Sequence, residues 1–163
     1  MARDNELPVS IPLLDRLTDE ELGKGDPFLD RAKSIKKLKS SLARDLEWLF
    51  NSRANHQTPP DLKEVRQSVY NYGLPDYSHL SLNSFGDRQR LQKQLEQAIS
   101  TYEPRLTGIS VRLTDKSFEP GRAIRFQIDG FLKMDPAPER ISFDTVLDIP
   151  TGEYQVKGDL GAG

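Results

Sequence analysis

The sequence predicts an α+β fold: two long helices and a short one packed on one face of a small, mainly antiparallel sheet of three to four strands, with an N-terminal arm. Three observations predict it. Apolar residues recur at helical spacing in two long segments, 34–53 and about 85–102. Beyond Pro104 the apolar period changes from 3.6 to 2. The turns "DKSFEPG" and "DPAPE" between the period-2 segments suit antiparallel hairpins and are too short for parallel crossovers.

Residues 1–32 read as an arm, broken by Pro8, Pro12 and Pro27. Yet "IPLLDRLTDEEL" carries Leu13, Leu14 and Leu17, more apolar content than a solvated linker needs. Those leucines either fold onto their own domain or dock on a partner. From Ser34 to Arg53, Ile35, Leu38, Leu42, Leu46 and Leu49 form one stripe, with Lys36, Lys37 and Arg44 on the opposite face. Asp45 falls at the border of the stripe, where a buried carboxylate needs a partner.

A short helix is expected from about Asp61, with Gly73 as its C-terminal cap and Pro75 blocking continuation. Tyr70, Tyr72 and Tyr77 read as corner packing rather than as a stacking platform for bases or sugars. The second long helix starts at Phe85 or Asp87, capped by Ser84 or Asp87, and buries Leu91, Leu95, Ala98, Ile99 and Tyr102. Pro104 ends it, because proline pushes Glu103 out of the helical region. The strands follow as "LTGISVRLTD", "RAIRFQIDGFLKM" and "RISFDTVLDI", each with one apolar face, and a short fourth at Tyr154–Val156. Residues 33–157 form the domain and 158–163 a flexible tail.

Of 163 residues, 36% are hydrophobic and 29% charged, and the net charge of -2 gives no global field for nucleic acid or acidic membranes. With no cysteine there is neither a disulfide nor a thiolate nucleophile. The N-terminus is too broken by charge and proline for a signal peptide, and no apolar run spans a membrane, so a cytoplasmic protein without direct membrane insertion is expected. His56 and His79 sit in polar loops without a ligand set, so no metal and no cofactor are expected. No phosphate loop or hydrolase motif is present.

The tetrapeptide Glu103-Pro104-Arg105-Leu106 joins helix to strand. An extended chain about the proline sends Glu103 and Arg105 to the same side, and a guanidinium suits two-point pairing where water is scarce. Glu103 is the best single carboxylate for a glycosidase, but Arg105 lowers its pKa, against a general-acid role. Arg105 is also expected to pair with Asp45.

"LLDRLTD", "LARDLEWLFNSR", "SVYNYGLPDYS" and "YEPRLTGISVRL" occur in this order, from Leu13 to Asp148 with the strands included. Together they resemble the TssE family of type VI secretion baseplate subunits, similar to the wedge protein of contractile phage baseplates and often labelled lysozyme-like. Leu49 and Phe50 stand where that pattern has a leucine pair. The resemblance implies a structural baseplate component, not an enzyme, that connects the wedge to the contractile sheath and starts sheath polymerisation. Its implied partners are TssF, TssG and TssK in the wedge and TssB and TssC in the sheath, with no nucleic acid. The implied place is the inner-membrane-associated baseplate in the cytoplasm. It puts assembly on Glu103, Pro104, Arg105 and Leu106, while the residue pattern itself offers Asp45, Arg44 and Trp48 as structural support and Leu13, Leu14 and Leu17 for arm docking. A peptidoglycan-cleaving lysozyme-like enzyme and a nucleic-acid-binding adaptor are the alternatives.

Overall fold

Helical and strand periodicity divide the chain at Pro104, and the computed structural model divides it there too. It describes residues 12–18, 31–55, 59, 61–77, 84–114 and 123–158. The helices are α1 (Leu13–Leu17), α2 (Arg31–Asn51), α3 (Lys63–Arg66) and α4 (Phe85–Tyr102), with a 3₁₀ turn at Val69–Asn71. The strands are β1 (Leu106–Leu113), β2 (Ala123–Leu132), β3 (Glu139–Asp148) and β4 (Tyr154–Lys157). They form an antiparallel meander in the order β1-β2-β3-β4.

Alternation decides which side of the sheet is covered. Ile124, Phe126, Ile128 and Leu132 of β2 and Ile141, Phe143 and Leu147 of β3 are buried. They meet Leu42, Leu46 and Leu49 of α2 and Leu91, Leu95 and Ile99 of α4 in one core. The other face is polar, with Arg112 on Asp129 and Gln127 donating to Ser142. Burial of a single face is what lets two helices suffice as a second layer. In β1 the register shifts between Thr107 and Ser110, at Gly108 with φ of +60°. That bulge lets the strand leave the joint and still bury Val111.

Side chains of the helices also cap part of the sheet's outer edges. On β4, Asn51 Oδ1 accepts from the Tyr154 amide at 2.8 Å while its Nδ2 donates to the Tyr154 carbonyl at 2.9 Å. Glu47 Oε2 accepts from the Val156 amide at 2.9 Å. On β1, Glu96 Oε1 accepts from the Val111 amide at 2.9 Å. Occupied amides cannot template a foreign strand. Asn51→Ala should therefore cost about 1 kcal/mol, since water can partly replace the amide, and should increase self-association. Urea denaturation and light scattering against concentration check this; unchanged values would mean the seal is idle.

Three expectations need correction. The segment after Asp61 is not one helix capped by Gly73 but a four-residue helix followed by a 3₁₀ turn. Polar side chains there compete for the backbone. Ser68 Oγ donates to the Val65 carbonyl at 2.7 Å and accepts from the Tyr70 amide, and Asn71 Nδ2 donates to the same carbonyl. Gly73 does take a positive φ, 119°, but for close approach to the end of α2. Leu74 N donates to Ser52 O and Ala54 N to Leu74 O, both at 2.9 Å. This bridge stops α2 at Asn51 rather than Arg53. The second correction is Tyr70, which stands exposed, while Tyr72 and Tyr77 pack against the core. The third is Arg44, which does not share a solvated face with Lys36 and Lys37 but bonds two carboxylates. Both histidines, the "DKSFEPG" turn, residues 1–11 and 19–30 of the arm, and 159–163 of the tail lie outside the described residues.

Candidate functional site

Pro104 stops α4 abruptly, and the last helical bond is from the Glu103 amide to the Ile99 carbonyl at 2.8 Å. Glu103 is then only 5% exposed. A carboxylate there must be fully bonded. Its Oε1 accepts from the Arg105 amide at 3.2 Å and from Arg105 Nε at 2.6 Å, and its Oε2 takes Arg105 Nη2. The result is a two-point guanidinium–carboxylate fork closed within three residues. The joint is also fastened to the end of β2: the Lys133 amide donates to the Arg105 carbonyl and Lys133 Nζ to the Pro104 carbonyl, both at 2.8 Å. Leu106 turns into the core.

Arg105 Nη2 also reaches Asp45 Oδ2 at 2.6 Å. The border position of Asp45 on α2 thus has the partner its burial requires. Its other oxygen accepts from Arg44 Nε at 3.1 Å and Nη2 at 2.9 Å. Arg44 Nη1 in turn contacts Asp15 Oδ1 at 2.8 Å. Five charges therefore alternate in sign along one line: Glu103, Arg105, Asp45, Arg44, Asp15. The guanidinium of Arg105 is held far above its ordinary value, chiefly by the bond to Glu103 and then that to Asp45, against the opposing effect of burial. Arg44 is raised by its bond to Asp15 first and by Asp45 in addition, again against burial.

Asp15 ends this line and is the buried residue of α1. Burial pushes its carboxyl up, but the hydroxyl of Ser41 at 2.5 Å, Arg44 and the charge of Lys37 together hold it below the ordinary 3.8. A depressed folded value means the anchor is intact at neutral pH and is lost only as pH falls through that value.

Three of these charges, Glu103, Arg105 and Asp45, line an open groove of about 450 Å³. Leu14 of α1, Trp48 of α2, Pro104 of the joint and the pair Tyr72–Tyr102 surround it. The two tyrosine rings meet edge to face with centroids 5.3 Å apart. Burial, and then the charges of Asp45 and Glu103, raise the Tyr72 pKa, so its phenol stays neutral. Trp48 is 52% exposed, with the Arg44 guanidinium 5.0 Å from its ring centroid.

The structure thus brings Asp45, Arg44, Trp48, Glu103, Pro104, Arg105 and Leu14 to one place. Leu13 and Leu17 remain exposed on α1. The sequence reading did not pick out Asp15 and Ser41. The signal for Asp15 was a lone carboxylate between the pair Leu13-Leu14 and Leu17; Ser41 offered none. Among the described residues no His, Cys, Asp or Glu cluster could hold a metal, and no helix is long and apolar enough to cross a membrane.

No curated protein matches the chain. Residues 36–137 match the model of the family described as Baseplate wedge protein gp25. That stretch is more than half of the chain and runs from α2 through the joint to the end of β2. The groove's floor and all but its α1 wall therefore lie inside the matched region, and the chain belongs to the gp25 family of baseplate wedge proteins, structural components of contractile baseplates.

Proposed function

We propose that the chain is the TssE subunit of a type VI secretion baseplate, acting without catalysis to connect the wedge to the contractile sheath and start its polymerisation. The observation that carries this reading is the ordered set of four TssE-like motifs, whose joint Glu103-Pro104-Arg105-Leu106 is pinned in one geometry beside an open groove. In this reading the joint serves assembly, Asp45, Arg44 and Trp48 support it, and Leu13, Leu14 and Leu17 belong to a docking arm. The partners are TssF, TssG and TssK, and the sheath proteins TssB and TssC, at the cytoplasmic face of the inner membrane. A non-catalytic role is supported by Glu103, whose two oxygens are already committed to Arg105. A general acid needs a carboxyl that holds a proton and can deliver it.

Attachment by strand addition is physically sensible for a sheet with free edges. Here β4 offers less than β1, because Asn51 and Glu47 occupy its amides. The test is a pull-down with the tagged chain from cells lacking TssB and TssC. TssF, TssG and TssK should be recovered directly. Recovery of phage tail proteins in their place would move the chain to a contractile phage, and peptidoglycan hydrolysis by the pure protein would overturn the non-catalytic reading.

A further inference from the structure

α1 is inverted in polarity. A short amphipathic helix docks by its leucines, with its acids in water. In α1, Leu13 and Leu17 are 68% and 70% exposed and Leu14 43%, while Asp15 is 8% exposed. Its bonds to α2 are polar: Ser41 Oγ donates to Asp15 Oδ2 and Arg44 Nη1 to Asp15 Oδ1. Leu14 and Pro12 line the same groove as Trp48.

We propose that α1 is a strap latched over the groove by the Asp15 carboxylate, and that Arg44 couples the latch to the joint. Arg44 is shared: Nη1 holds Asp15, while Nε and Nη2 hold Asp45, which in turn holds Arg105. The groups that face Asp15 are Ser41, Arg44 and the charge of Lys37, all on α2. Opening the latch costs α1 little buried apolar surface, because Leu13 and Leu17 are already in water and only Leu14 and Pro12 leave the groove. It takes Pro12 and Leu14 out of the groove that Trp48 lines and leaves Arg44 with Asp45 and the Ser41 hydroxyl. The strap therefore gates access to the groove, and anything that competes for Arg44, whether another carboxylate or salt, opens it. This holds whichever baseplate the chain serves, since both ends of the latch lie within the chain.

Trp48 is the only tryptophan in the chain, so its fluorescence reports the groove. The experiment is acrylamide quenching of the full-length protein and of Asp15→Asn, each at low and at high sodium chloride. A charge-assisted bond of this kind shifts the docked-to-released ratio roughly tenfold or more. Asp15→Asn should quench more steeply than the native protein at low salt. High salt should steepen the native protein's quenching toward the variant's and leave the variant's nearly unchanged. Leu17→Ser, which alters the exposed side of α1, should quench like the native protein. A native protein that quenches like Asp15→Asn at low salt, or shows no salt response, would overturn the latch. Coupling to the joint is read separately: the melting-temperature loss caused by Asp45→Asn should differ between the native and Asp15→Asn backgrounds, and additive losses would remove Arg44 as the link.

Discussion

Arg105→Ala should lower the melting temperature by roughly 6–12 °C, the equivalent of about 3 kcal/mol. The effect comes mostly from what is left behind. Without the guanidinium, Glu103 keeps only the Arg105 amide at 3.2 Å, in a site where it is 5% exposed. Asp45 keeps Arg44 but loses its 2.6 Å contact. The Arg105 side chain is itself 28% exposed, so the loss belongs at the low end of the range for a broken buried pair. Glu103→Ala should cost less, because Arg105 then still holds Asp45. Arg105→Lys should recover little stability, since an ammonium cannot bridge both oxygens of Glu103 and reach Asp45 together. Thermal melting of the three variants checks the order Arg105→Ala and Arg105→Lys below Glu103→Ala. Equal losses would mean the joint is held by Lys133 and Leu106 instead. Sheath assembly measured on the same variants below their melting points separates two roles. A pin loses assembly in step with stability, whereas a partner-facing fork loses assembly in a variant that is still folded.

The parts of this site that were legible in the sequence share a physical cause. Asp45 could be found because helical spacing is rigid over α2, and a carboxylate at the border of an apolar stripe demands a partner. The joint could be found because proline restricts both itself and Glu103, which fixes where the flanking side chains point. The strands were legible because a half-covered sheet must alternate. Arg44 was hidden by the same helical arithmetic that revealed Asp45. A 100° step locates a Cβ, but the arginine stem is long enough to bring its head back to the border. Asp15 was hidden because a five-residue helix has too few turns for polarity to show as a pattern. The helix after Asp61 failed for a different reason. Propensity assumes the backbone bonds to itself, and Ser68 and Asn71 supply competing bonds from their side chains. Gly73 looked like a helix cap because a positive φ is common to caps and to close backbone approaches.

Gly73→Ala should be among the most damaging single substitutions outside the core, at about 3–5 kcal/mol or roughly 10 °C or more in melting temperature. Two costs coincide. The φ of +119° is one that a residue with a Cβ rarely adopts. The added carbon would also lie 2.3 Å from the Ser52 carbonyl oxygen and 2.5 Å from its carbon, and both are backbone atoms that cannot swing away. Gly152→Ala is the control. Its φ of +72° carries backbone strain, but no atom lies within 4 Å of the new carbon, so about 1 kcal/mol is expected. If the two variants lose equal stability, the close approach to Ser52 contributes nothing. The clash also acts locally. Relieving it means opening the bridge of Arg53 with Leu74, two residues from Tyr72, whose ring meets Tyr102 on the groove's wall. The Glu103–Arg105–Asp45 contacts are not touched. Gly73→Ala therefore alters the groove while sparing the pin, the reverse of Arg105→Ala. Held well below its melting point, a Gly73→Ala protein that still binds the wedge normally would show that the tyrosine wall takes no part in assembly. A folded variant that loses wedge binding would place the partner in the groove rather than on the joint alone.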